Sequence, residues 1–238
     1  MDPLVFGLST MGKSQVMAAE KAFFAYWTRL RRWTRRNLDG LGPARSGIVV
    51  ITFGSALGQL ILVGGMLILA RLFDPAAFGV YSWVSTLIML LSLVAALRLE
   101  LAIPLAEDDI HARRLVSLAL GVAFGASALV TMSTPLVGPW IDSLSELTLM
   151  PSLYFVGPSV FATAAVTIYS QVLLRRKSYS AVGHRSSTVS GMTVVLQALG
   201  GVISGSPGFL LLGQFLARLL VSLRMAWSLS LNPPMRLV

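Results

Sequence analysis

Arg218 and Gln214 stand four residues apart inside the run GFLLLGQFLARLL (208–220), where Arg218 carries the only charge. Helical spacing puts the two on one face. A guanidinium fork matches phosphate oxygens, and an amide beside it both donates and accepts. The pair therefore suits an anionic group held in apolar surroundings. The other placement has Arg218 snorkelling to a polar edge beside Arg224. A second set, Ser159, Thr163, Thr167, Ser170 and Gln171, recurs at spacings of four, four, three and one and makes a single polar stripe. It reads as the wall of a polar path or as a ladder of interhelical hydrogen bonds. Arg98 and Glu100 form a third set at the end of an apolar run. Charges there gate a path, pair with the cluster Arg175, Arg176 and Lys177, or reach to the interface. Glu107, Asp108 and Asp109 lack the buried, paired setting of general acid–base chemistry. There is no cysteine, and His111 and His184 are the only histidines. Disulfides and thiolate chemistry are excluded, and neither a metal nor a cofactor is expected.

The elements that position these residues follow from composition. The chain has 238 residues, 55% hydrophobic and 12% charged, with mean hydropathy +0.76. A soluble domain carries about 25% charged residues. The expected fold class is all-α integral membrane, with six transmembrane helices. A bilayer core asks for about 20 apolar residues in helix. The runs are 47–70, 79 to about 103, 115–138, 152–174, 186–204 and 208–229. The first holds one glutamine, Gln59, and the fifth is short and rich in Ser, Thr and Gly. A mid-span arginine costs ~2.5–3.5 kcal/mol on insertion scales, so Arg218 reads as functional if it lies mid-bilayer. The pairs Gly54/Gly58 and Gly121/Gly125 predict close helix packing. Gly157-Pro158 predicts a bend.

Lys and Arg sort by side. Eight precede the first run (Lys13, Lys21, Arg29, Arg31, Arg32, Arg35, Arg36, Arg45). With six spans, Arg113, Arg114, Arg175, Arg176, Lys177, Arg185 and Arg236 share their side, and Arg71 stands opposite with Asp74, Asp142 and Glu146. That asymmetry places both termini in the cytoplasm. The net charge of +9 is accordingly orientation charge, not a nucleic-acid surface. Phe23, Trp27, Leu30 and Trp33 recur at helical spacing among the arginines of 29–36, which predicts a basic amphipathic helix on the inner leaflet. No secretory signal is expected, since PLVFGL (3–8) is too short for one. The organisation read from this is a basic cytoplasmic segment at 1–45, a six-helix domain at 46–231 and a short tail at 232–238.

Between the first two runs lies ARLFDPAAFGVYS (70–82). Asp74 can cap a helical turn and Pro75 suits its first position. Phe78 can anchor in the interface and Gly79 can release the chain into the next span. The expectation is a one-turn interfacial helix at a membrane hairpin. This stretch resembles the first outer loop of the polysaccharide-export flippases of the multidrug/oligosaccharidyl-lipid/polysaccharide transporter superfamily. RLELAIPLAEDD (98–109) resembles the end of their second helix. LLRRKSYSAVGHRSSTVSGMTVVLQALGG (173–201) resembles their basic loop between helices four and five. GFLLLGQFLARLL resembles their sixth helix, with its Gly213-Gln214 pair.

The resemblance runs from about 44 to 230 and implies a function. That function is flipping of a lipid-linked oligosaccharide across a bacterial plasma (inner) membrane for cell-surface polysaccharide biosynthesis. The same likeness implies alternating access, with a cationic cavity for the phosphates. The substrate-path candidates are Arg218, Gln214, Thr163, Thr167, Gln171, Arg98 and Glu100. The expected partners are membrane lipid, the lipid-linked sugar and polysaccharide assembly proteins. Such flippases have two six-helix lobes, and one is found here. The alternatives are a truncated coding sequence, two copies assembled as a homodimer, or a non-transporting lobe that scaffolds an assembly complex. An even number of spans lets two copies share one orientation about an axis along the membrane normal. A membrane polymerase or ligase is disfavoured, because the outer loops are short and bare of catalytic groups. No enzymatic activity is expected.

Overall fold

The computed structural model describes residues 43–144, 150–203 and 205–231. The expected surface helix over 14–38 and the tail at 232–238 lie outside them. The chain divides into Met1–Val50 and Ile51–Val238. Of the first unit, the described part is the opening of helix α1 (Pro43–Leu69). The other long helices are α2 (Pro75–Ala95), α3 (Asp109–Leu144), α4 (Val156–Arg175), α5 (Tyr179–Ile203) and α6 (Pro207–Leu231). A 3₁₀ helix (Leu99–Leu105) follows α2, and a one-turn helix (Met150–Leu153) precedes α4. The described residues contain no strand. Among the described residues six helices are long and apolar enough to cross a membrane: the fold is the expected all-α, multi-pass one.

Helix starts follow local chemistry. Pro43, Pro75 and Pro207 each open a helix, where the missing N–H costs nothing and φ is already helical. The turn at 70–82 is simpler than expected. Asp74 holds the N-cap backbone conformation, but its side chain makes no capping bond. The Phe78 N–H donates to the Asp74 carbonyl, so DPAAF is the first turn of α2 itself and not a separate interfacial helix. Phe78 stacks edge-on against buried Phe73, with ring centroids 6.2 Å apart. That contact, inside the protein, replaces the expected anchor. Gly79 lies within the helix and nothing approaches it within 4 Å.

Three spans differ in length from the apolar runs. Helix α3, with 36 residues, extends beyond 115–138 at both ends. The run from 79 to 103 is not one helix. After Ala95 the chain passes through left-handed backbone at Leu97 (φ 48°) and Arg98 (φ 58°), then tightens into the 3₁₀ helix that contains Pro104. Helix α5 begins at Tyr179, seven residues before the expected 186, so Arg185 belongs to a helix and not to the preceding loop. The α4–α5 turn closes by paired bonds, Lys177 N–H to Leu174 O and Ser178 N–H to Leu173 O. These form a Schellman motif with Lys177 in the left-handed position usually taken by glycine. Gly157-Pro158 marks a helix start: α4 begins at Val156, after a turn at Tyr154 and Phe155 that separates it from the one-turn helix. Phe155 is its N-cap and Pro158 lies in the first turn.

Helix α4 is central: 61% of its span is buried inside the protein, against 17% for the spans of α1 and α3. It packs against α2, α3, α6 and the 3₁₀ helix, and α5 packs most extensively on α6. Small residues make this possible, since lipid tails give apolar helices no hydrophobic reason to associate and packing must be close. Buried Gly157, Ser159, Ala162, Ala164 and Ala165 line α4. The Ser127 hydroxyl of α3 donates to the Gly157 carbonyl at 2.6 Å. Gly54 and Gly58 set α1 directly against Gly183 and Ser186 of α5, as expected. Gly121 and Gly125 do not serve this way. They face outward on α3, where an added Cβ would meet no other side chain or helix within 4 Å.

Candidate functional site

The site is built on four helices, α2, α4, α5 and α6. Gly213 lets α6 approach α5 so closely that a Cβ there would lie 2.9 Å from the Gln197 backbone nitrogen. Gln197 is buried and its amide donates to the Leu210 carbonyl at 2.8 Å, which fixes the pairing. The next residue, Gln214, is turned to α2. Its Oε1 accepts from the Tyr81 hydroxyl at 2.6 Å and lies 3.3 Å from the Ser85 hydroxyl. One turn on, Arg218 donates from Nη1 to Thr163 Oγ1 of α4 at 3.2 Å. Arg218 is thus turned inward to the central helix, away from the edge, whereas Arg224 is exposed.

The stripe on α4 has a common pattern. Thr163, Thr167 and Ser170 each donate to a carbonyl one turn back, at Ser159, Thr163 and Val166. The hydroxyls therefore satisfy themselves along their own helix, and their remaining lone pairs point outward from it. Two of them accept from arginines. Arg218 reaches Thr163, and Arg185 of α5 reaches Ser170. The anchors are seven residues apart, about 10 Å along one face of α4. Neither arginine meets a carboxylate among the described residues. Ser159, one turn from Thr163, is fully buried, and its hydroxyl has no partner. Gln171 is half-buried beside Ser170.

Arg98 and Glu100 are not brought to this cluster. Arg98 is exposed. Glu100 is 7% exposed, against α3 and α4, with Oε2 unpartnered. The expected pairing with the 175–177 cluster does not form. Arg175 instead donates to the Ala106 carbonyl and stands 3.4 Å from Asp109. The reason is the left-handed step at Leu97 and Arg98, which redirects the chain before Glu100.

Sequence reasoning missed Tyr81, Ser85 and Arg185. Tyr81 and Ser85 are four apart in YSWVS, the same spacing as Gln214 and Arg218. That shared period was the available signal for two polar faces in register. The arrangement offers two cations, an amide and a phenol inside a helical bundle, which is a donor set for an anionic group. No family model matches the chain, nor does any curated protein or solved structure.

Proposed function

We propose that this protein moves lipid-linked oligosaccharide or polysaccharide precursors across a bacterial plasma membrane, with both termini in the cytoplasm. The observation that carries the reading is Arg218. It stands near the middle of a spanning helix, bonded to a neutral hydroxyl, beside a glutamine held by Tyr81. Intramembrane cations are costly and mark substrate paths by default. A guanidinium without a carboxylate has unspent donors for a phosphate. The likeness of four stretches to polysaccharide-export flippases supplies the cargo class, and the one-sided Lys and Arg supply the orientation.

The test is transbilayer movement in proteoliposomes of a fluorescent disaccharide linked by diphosphate to a polyprenyl chain. Wild type is expected to move it and to ignore the same sugar on an uncharged polyprenol. Arg218→Ala and Arg218→Lys are expected to insert normally and to lose movement. Equal rates for wild type and Arg218→Ala would remove the reading.

A further inference from the structure

The exposed side of α1 carries a polar group at mid-span, the wrong depth for contact with lipid. Gln59 lies 12 residues from Gly47 and 10 from Leu69, the ends of its span. At ~1.5 Å per residue that is about 18 and 15 Å, the middle of the hydrocarbon. Its side chain is exposed and makes no hydrogen bond with the described residues. The other glutamines of the spans behave differently. Gln197 and Gln214 are buried and bonded, and Gln171 is half-buried. An amide carries two donors and an acceptor with two lone pairs, and none of these finds a partner among acyl tails.

The neighbours of Gln59 define a seam. Thr52, Ser55, Gln59, Leu62 and Met66 are all exposed and follow spacings of three, four, three and four. That is the a/d period of a left-handed helix pair. The residues at 52 and 55 are small enough for close approach. The seam is distinct from the glycine edge (Gly54, Gly58, Gly65) with which α1 already grips α5.

We infer that this seam is the contact between two copies of the chain, paired α1 to α1 about a two-fold axis along the membrane normal, with Gln59 bonded to Gln59 across it. Three observations select a second copy as the occupant. An amide is its own complement, since each donates to the other's oxygen. Copies of one chain share one topology, so about an axis along the membrane normal the two α1 helices run parallel. A single amide in a seam whose other members are small hydroxyl or apolar residues fixes register, as polar a-position residues do in parallel pairs. The surface is independent of what the protein carries.

The chain has no cysteine, so single cysteines report contacts cleanly. In nanodiscs the full-length wild type is expected to count as two copies. Under mild oxidation, Gln59→Cys is expected to give a disulfide-linked pair, whereas Met132→Cys on α3, 75% exposed, is not. Gln59→Leu makes the span more apolar, so it inserts. It is expected to weaken pairing by about tenfold, whereas Gln59→Asn keeps it. A single copy of wild type per disc, or undiminished pairing of Gln59→Leu, would overturn the inference. So would Gln59→Cys reacting with a water-soluble maleimide without cross-linking, because the seam would then be the wall of a wet path.

Discussion

The Thr163 hydroxyl has two duties: it donates to Ser159 O at 2.7 Å and accepts from Arg218. Thr163→Val keeps the shape and removes both. The backbone carbonyl loses a spare bond, while the guanidinium loses its resting partner. Bonds to charged groups contribute about 1.5–3 kcal/mol, more than neutral ones. We expect Thr163→Val to lower stability by about that amount in reversible unfolding from detergent micelles. Thr167→Val, which loses a bond only to its own helix, should change it by less than about 1 kcal/mol. Equal losses would mean that Arg218 does not depend on Thr163. Arg218, Gln214 and the α4 stripe were legible because a polar residue in an apolar run stands out without any tertiary knowledge. Tyr81 and Arg185 were not. A tyrosine beside a turn looks like an interface anchor, and an arginine near a basic loop looks like topology charge. Only packing shows that one bonds Gln214 and the other Ser170.

At the scale of elements, one motif has two outcomes. Gly54/Gly58 and Gly121/Gly125 share their spacing, yet the first pair is clamped against α5 and the second faces outward. Which helix covers which face is a property of the whole arrangement, so the spacing alone could not separate them. The substitutions should therefore have opposite signs. Gly54→Ala places a methyl into the Gly183 backbone, where nothing flexible can yield. We expect it to separate α1 from α5 and cost about 1–3 kcal/mol, as overpacking does. Gly121→Ala meets open space and gains helix propensity, so it should be neutral or stabilising by about 0.5–1 kcal/mol. Thermal unfolding of both variants in one detergent decides it; a destabilised Gly121→Ala would show that α3 is covered there. Six helices and their order were readable from hydropathy and length. The ends of α2 and α5 were not. The left-handed backbone at Leu97 and Arg98 ends the helix where the charges Arg98 and Glu100 read as its polar edge, and α5 starts seven residues early through residues that look polar.

For the molecule as a whole, orientation rests on where the described helices end. Helix α5 starts at Tyr179 next to Arg175, Arg176 and Lys177, and α6 starts at Pro207, after exposed Ser206. A single crossing by α5 separates these positions, so Ser180 and Ser206, both exposed, must fall on opposite sides. In the proposed orientation the basic cluster lies on the cytoplasmic side, where Lys and Arg are retained. In intact cells we therefore expect Ser206→Cys to react with a membrane-impermeant maleimide, and Ser180→Cys to react only after permeabilisation. The absence of native cysteine makes both readings unambiguous. The reverse pattern would invert the molecule. Labelling of both positions from outside would mean that α5 does not cross. The bond from Arg185 to Ser170 would then lie outside the bilayer, and Arg185 would drop out of the proposed anion-binding set.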